Sequence, residues 1–151
     1  MSEFVNSKWV SDIAAMHTKF GVNEVLQNLD RDKLEAFLKF RIDFLQEELD
    51  EMRSALVDHQ AGKIKGSKAA DDTVDALIDL CVVAIGTLDA FDVNSDEAWN
   101  RVHRKNMEKE VGIKASRPNP LGLPDLIKPE GWTAPTHADN VGLLSKVYGD
   151  N

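Results

Sequence analysis

At 151 residues, with 42% hydrophobic and 29% charged side chains, the chain has the size and composition of one globular domain. Its net charge of -8 would repel phosphate polymers and anionic lipid, which argues against nucleic-acid and membrane-surface partners. A single cysteine, Cys81, permits no disulfide within the chain; no apolar run spans a bilayer and MSEFVNSKWV has no signal pattern, so the expected setting is cytoplasmic.

Residues 6–18, NSKWVSDIAAMHT, bring Trp9, Ile13 and Met16 back at three- and four-residue steps, which predicts a helix from Asn6 that Gly21 ends. FGVNEVLQNL follows as a connector. A second helix starts behind Asp30 as N-cap, with Leu38, Ile42, Leu45, Leu49, Met52 and Leu56 at alternating steps of four and three. These six fall within roughly 80° of a helical wheel, a seam for another helix. DHQAGKIKGSKAADD, with two glycines and several lysines, reads as a mobile loop. A third helix, ADDTVDALIDLCVVAIGTL, runs to about Phe91. The fourth, DVNSDEAWNRVHRKNMEKEV, takes Ser95 as N-cap and turns Trp99, Val102 and Met107 inward.

Past Gly112, SRPNPLGLPDLIKPEGWTAPTH holds all five prolines of the chain and predicts neither regular helix nor strand. Its Leu121, Leu123, Leu126, Ile127 and Trp132 ask for burial, so the tail is expected to pack over the body or over a neighbouring subunit. The expected architecture is all-α: a bundle of four main helices over residues 1–112 and an irregular Pro/Gly-rich C-terminal arm over 113–151.

Two sets of acids stand out. On the second helix, Glu48 and Glu51 lie three apart at the margin of the seam, while Glu47 and Asp50 point further towards water. On the third, Asp72, Asp75, Asp79 and Gly86 share a stripe about 60° wide in an otherwise apolar helix. Asp72 is also placed to charge the helix N-terminus, but Asp79 is too far in for that. An unpaired ionised carboxylate in such surroundings normally neutralises, pairs or binds a metal. If the two sets face each other, they form an all-oxygen donor group suited to Mg²⁺ or Mn²⁺.

ExxE, a loop of about twenty residues, then an acidic helix opening an apolar run resembles the all-α NTP pyrophosphatase superfamily of MazG-type enzymes, dimeric dUTPases and phosphoribosyl-ATP pyrophosphatases. EELDE supplies Glu48 and Glu51; His17, Phe20 and Gly21 match HxxFG, and Arg41 stands ahead of the acidic motif. With DALIDLCVVAIG, VHRKNMEK and KPEGWTAPTH, the chain is most similar to the MazG-like branch common in bacteriophages. It departs from ExxD in one place: if Asp79 is the Asp, the position three before it is Ala76. Asp75 then substitutes, or Asp72 pairs with Asp75.

The resemblance implies Mg²⁺-dependent hydrolysis of a (d)NTP to the monophosphate and pyrophosphate. It implies metal ligation by Glu48, Glu51, Asp75, Asp79 and Asp72, with Glu47, or a carboxylate of the cluster left off the metal such as Glu48, taking the proton of the attacking water. It implies substrate contacts from Arg41, Asn106, Lys109 and Lys128, with Trp9, His17 and Phe20 near the nucleotide pocket. A homodimer or dimer of dimers is the expected assembly. The alternatives are a non-catalytic all-α dimer with a regulatory cation site, and a phosphoribosyl-ATP pyrophosphatase, against which the HRKNMEK and tail segments speak.

Overall fold

The computed structural model describes residues 7–116, 121–122 and 125–149; Asn6 and Leu123 lie outside them. Six helices and two short strands follow in the order α1 (Lys8–Phe20), α2 (Val22–Gln27), α3 (Arg31–Gln60), α4 (Gly66–Ala90), α5 (Ser95–Met107), β1 (Glu110–Gly112), β2 (Asp125–Ile127) and α6 (Leu144–Tyr148). The architecture is all-α, with a minimal antiparallel pair that the sequence reading did not contain. No helix of the described residues is long and apolar enough to cross a membrane.

Local chemistry sets the helix ends. The Ser7 hydroxyl accepts from the Val10 N–H at 3.4 Å, and Gly21, at φ 70°, turns its N–H back to the carbonyls of His17 and Thr18. The connector after Gly21 is itself one short helix, α2. Asp30 caps α3 as expected, accepting from the Lys33 N–H at 2.9 Å. The expected mobile loop is shorter than its composition suggests, because α3 continues to Gln60 and α4 begins at Gly66. Two bonds close this turn: the Lys63 N–H donates to the Asp58 carbonyl at 2.8 Å, and the His59 ring to the Ile64 carbonyl at 3.2 Å.

The residues up to Ser95, with those from Val141 on, form one compact unit, and Asp96–Asn140 form a second. In the first unit α3 and α4 make an antiparallel hairpin. The side chains buried along it are small: Ala55, Ala69, Ala76 and Gly86 let the two backbones approach closely. The expected seam divides. Leu38, Leu45 and Met52 are half-buried, whereas Ile42, Leu49 and Leu56, seven apart, stay exposed. On α1 the inward face is Ile13 and His17, so Trp9 and Met16 are displaced to the exposed flank.

The large apolar side chains collect at one end of the hairpin. Leu34 and Phe91 are fully enclosed, with Leu26, Ala90, Val93 and Val147 around them. Val147 belongs to α6, which docks there: the Leu143 N–H donates to the Phe91 carbonyl at 2.7 Å, Arg31 Nε to the Val147 carbonyl at 3.1 Å, and Lys146 Nζ to the Leu29 carbonyl at 2.9 Å.

In the second unit, α5 is joined to the strand pair and the segment after it. Arg101 donates to both oxygens of Asp139, at 2.6 and 3.1 Å, to Glu97 at 2.9 Å and to the Thr136 carbonyl at 3.0 Å. The bond to Arg101 is the main reason the Asp139 carboxyl is held below its usual range. The tail that had been expected as irregular supplies β2, whose residues pair Glu110 with Ile127 and Gly112 with Asp125. An added Cβ on Gly112 would come within 2.6 Å of the Ile127 side chain, whose end would have to shift. Ile127 and Trp132 gain cover, but Leu121 and Leu126 remain exposed, against expectation: three residues of strand leave one hairpin face bare.

Gly142 adopts φ 50°, and a Cβ on it would lie 2.0 Å from the Phe91 carbonyl oxygen. Gly131 has φ 77° with open space around it. Gly142→Ala is therefore expected to lower stability by more than the roughly 1–3 kcal/mol of a strained backbone alone, and Gly131→Ala by no more than that. Thermal melts of the two variants check this; equal midpoints would overturn the docking role assigned to Gly142.

Candidate active site

The α3–α4 hairpin carries two polar clusters, one beside the apolar core and one towards the turn. In the first, Arg41 crosses from α3 to α4, where Nε donates to Thr87 Oγ1 and Nη2 to the Val83 carbonyl, both at 2.9 Å. Gly86 leaves the room: a Cβ there would lie 2.8 Å from Arg41 Nη2 and 3.4 Å from His17 Nε2. The rings of Phe37 and Phe44 stand 5.9 and 5.8 Å from the guanidinium carbon. Burial lowers the Arg41 pKa, and no acid is paired with it among the described residues.

His17 is buried at 5% exposure, with its ring Nδ1 2.7 Å from Asp89 Oδ2. An ionised carboxylate only accepts, so Nδ1 carries the proton. Asn23 Nδ2 donates to the same oxygen at 3.3 Å. This pairing explains why a histidine, rather than Met16, faces inward from α1. Trp9 borders a different feature, an apolar cleft of about 250 Å³ lined by Ile13, Ile78, Val82 and Ile85, with Asp12 at its edge. Phe20 is exposed, with Lys19 Nζ 5.4 Å from its ring centroid.

The second cluster is acidic. A cleft of about 440 Å³ is lined by Asp50, Glu51 and Asp58 from α3 and by Asp72 and Asp75 from α4. Glu48 and Asp79 lie one turn further along their helices. Burial raises the Glu48 pKa most, followed by the negative charges of Glu51, Asp79, Asp75 and Glu47. The facing sets expected from the wheels are therefore within electrostatic reach of one another. Glu48 Oε2 is enclosed and has no hydrogen-bond partner.

Positive charge reaches the outer end of this cleft, and Arg53 Nη1 lies 3.9 Å from Asp50 on α3. Lys68 pairs with Asp72 one turn on, and Lys63 Nζ comes within 4.0 Å of Asp58. Because α4 begins at Gly66, Asp72 sits beyond its first turn, so its partner is Lys68 rather than the helix terminus. Glu48, Glu51, Asp75 and Asp79 form no ion pair among the described residues. As placed, no three His, Cys, Asp or Glu side chains of the described residues close on one point tightly enough to hold a metal ion. What the site offers is an all-oxygen donor set, unneutralised at its inner end, with one enclosed oxygen lacking a partner. That chemistry fits a hard divalent cation drawing the carboxylates in.

Ala76, where the pattern asks for glutamate, is 1% exposed within the hairpin interface. A longer side chain there would separate α3 from α4. Asp50 and Asp58 were missed as lining residues by the sequence reading. Asp58 was legible: it lies seven residues after Glu51, two turns along the same side. Asn106, Lys109 and Lys128 belong to the second unit.

No curated protein matches the chain. The family model for phosphoribosyl-ATP pyrophosphohydrolase matches residues 23–106. That span takes in α3 and α4 whole, and with them Glu47, Glu48, Glu51, Asp72, Asp75 and Asp79. With more than half of its length so matched, the chain belongs to the phosphoribosyl-ATP pyrophosphohydrolase family, the MazG-like group of nucleotide pyrophosphohydrolases.

Proposed function

We propose that the chain is a Mg²⁺-dependent pyrophosphohydrolase of (d)NTPs, acting in the cytoplasm and releasing the (d)NMP and pyrophosphate. The observation that carries this reading is the enclosed, unpartnered Glu48 Oε2 facing Glu51, Asp75 and Asp79 in a chain of this family. Glu48, Glu51, Asp75 and Asp79 would hold the cation, with Asp72 at the outer end as a further ligand. Mn²⁺ is the natural substitute. When bound, the cation supplies charge neutralisation for the triphosphate and a water of lowered pKa.

The chain's own residues orient and accept protons. Glu47 Oε, or an oxygen of Glu48 left off the metal, takes the proton of the attacking water. The unpaired charge of Arg41, and Asn106, Lys109 and Lys128 on the second unit, supply substrate contacts beyond the metal. The apolar cleft beside Trp9 suits a base, with Phe20 and His17 as neighbours in sequence; His17, held by Asp89, would act by fixing α1 rather than by touching the ligand. HxxFG and the tail favour the bacteriophage-type branch. The description of the matching family keeps phosphoribosyl-ATP as the rival substrate.

The exposed stripe of Ile42, Leu49 and Leu56, with Val74, Leu77 and Ile78 exposed on α4, supports a homodimer or dimer of dimers. Sedimentation at micromolar concentration is expected to return at least the dimer mass; a monomer would overturn this.

Pyrophosphate release with a panel of (d)NTPs, phosphoribosyl-ATP and Mg²⁺ tests the activity. Turnover of a (d)NTP is expected, and none with any (d)NTP at high enzyme would sink the reading. Glu51→Gln and Asp79→Asn are expected to lower kcat/KM by about 100-fold or more while helical circular dichroism persists, since even outer-shell partners of a metal cost 10–100-fold. Near-normal turnover in either variant removes that residue from the ligand set.

The raised Glu48 pKa sets a pH dependence. The folded state binds the Glu48 proton more tightly than the unfolded chain, so this contribution is full below the ordinary carboxylate range and is lost as pH rises through the raised value. In EDTA at pH 7.5, Glu48→Gln is expected to melt a few degrees above the wild-type chain. In millimolar Mg²⁺ the order reverses. A wild-type midpoint indifferent to Mg²⁺ would count against the cation site.

A further inference from the structure

Arg41 is a half-buried cation without a counter-ion. Burial works against its charge, and no carboxylate is paired with it among the described residues. What holds it is neutral: Thr87 Oγ1 and the Val83 carbonyl, each at 2.9 Å, and the rings of Phe37 and Phe44. Asp89, two residues beyond Thr87 on α4, is engaged by His17 Nδ1 and Asn23 Nδ2 instead.

With its Nδ1–H donated to Asp89 Oδ2 at 2.7 Å, the neutral His17 ring carries a lone pair on Nε2. That nitrogen makes no hydrogen bond among the described residues. It lies on the Arg41 side, because a Cβ on Gly86 would stand 2.8 Å from Arg41 Nη2 and 3.4 Å from His17 Nε2. The lone pair is thus one more neutral acceptor beside the guanidinium. In the other tautomer an N–H would point there, and an imidazolium would set a second positive charge against the first. Which ring nitrogen bears the proton is decided by the partner of the other, here Asp89. Since Asp89 Oδ2 accepts from His17 and Asn23 at once, it has no proton to give, and the choice is fixed.

We propose that Asp89 is a positioning residue for Arg41, acting through the tautomer of His17. The imidazole takes up the carboxylate, so Arg41 is steadied without being neutralised and keeps its charge for an anion. That the anion is a nucleotide rests on the pyrophosphohydrolase reading; the relay from Asp89 to Arg41 does not.

Long-range nitrogen–proton NMR of the His17 ring in the ligand-free full chain at pH 7.5 is the test. Nδ1 is expected to be protonated and Nε2 bare. In Asp89→Leu, which cannot accept, the proton moves to Nε2 and exchange of the Arg41 Nε–H quickens at least tenfold. Asp89→Glu keeps the wild-type pattern, and so does Asn23→Ala, which loses a bond to the same oxygen. A proton on Nε2 of the wild-type ring overturns the relay, and that reading needs no variant to fold. So does an unchanged tautomer in Asp89→Leu that is folded by circular dichroism, or Arg41 exchange equally fast in Asn23→Ala. With a triphosphate substrate, Asp89→Leu is expected to raise KM about tenfold at unchanged kcat and to add nothing to Arg41→Gln. A full effect on top of Arg41→Gln overturns the relay. The expected NMR pattern without turnover of any triphosphate would uphold the relay while sinking the hydrolase reading.

Discussion

The close approach of α3 and α4 governs this structure. Where two helices meet through Ala55, Ala76 and Gly86, whatever flanks those residues is pressed together as well. Beside Gly86 the flanking groups are Arg41 and His17, which find carbonyl, hydroxyl and carboxylate partners. Beside Ala55 and Ala76 they are carboxylates, which find each other. One packing contact thus creates both a satisfied polar cluster and a frustrated one.

The frustration is local. Lys63 and Lys68 relieve the turn end of the acidic cleft, and the apolar end is closed by Phe91, Leu34 and Val147. Between them, Glu48, Glu51, Asp75 and Asp79 form no ion pair among the described residues. A fold keeps such a region only by making it up elsewhere, and here the enclosed core at the far end of the same hairpin supplies that stability.

Much of this was legible in the residues. Asp30 announces the start of α3, Gly21 the end of α1, and the helical wheels put Glu48 and Glu51 against Asp75 and Asp79. The limits are equally specific. Periodicity marks which side of a helix is apolar but not how much of it one chain can cover, so Ile42, Leu49 and Leu56 looked like Leu38, Leu45 and Met52. The length of α4 was hidden because glycine and lysine suggest a loop, while backbone closure at Asp58 and Lys63 is invisible to composition. Strands of three residues, one of them in proline-rich chain, are too short for alternation to show. The partner that holds the buried His17 ring, Asp89, lies 72 residues away and could not be seen from the motif around His17.

The docking of α6 has a kinetic side. The bond from Arg31 to the Val147 carbonyl joins residues 116 apart, and Val147 fills the same core as Leu34. Contacts so distant along the chain close late, since the loop entropy must be met before the contact returns anything. During synthesis the helices bearing the acids emerge well before Val147 does. The carboxylates are thus brought near one another on a hairpin whose stabilising core is still open at one end, and the final turn of helix closes it.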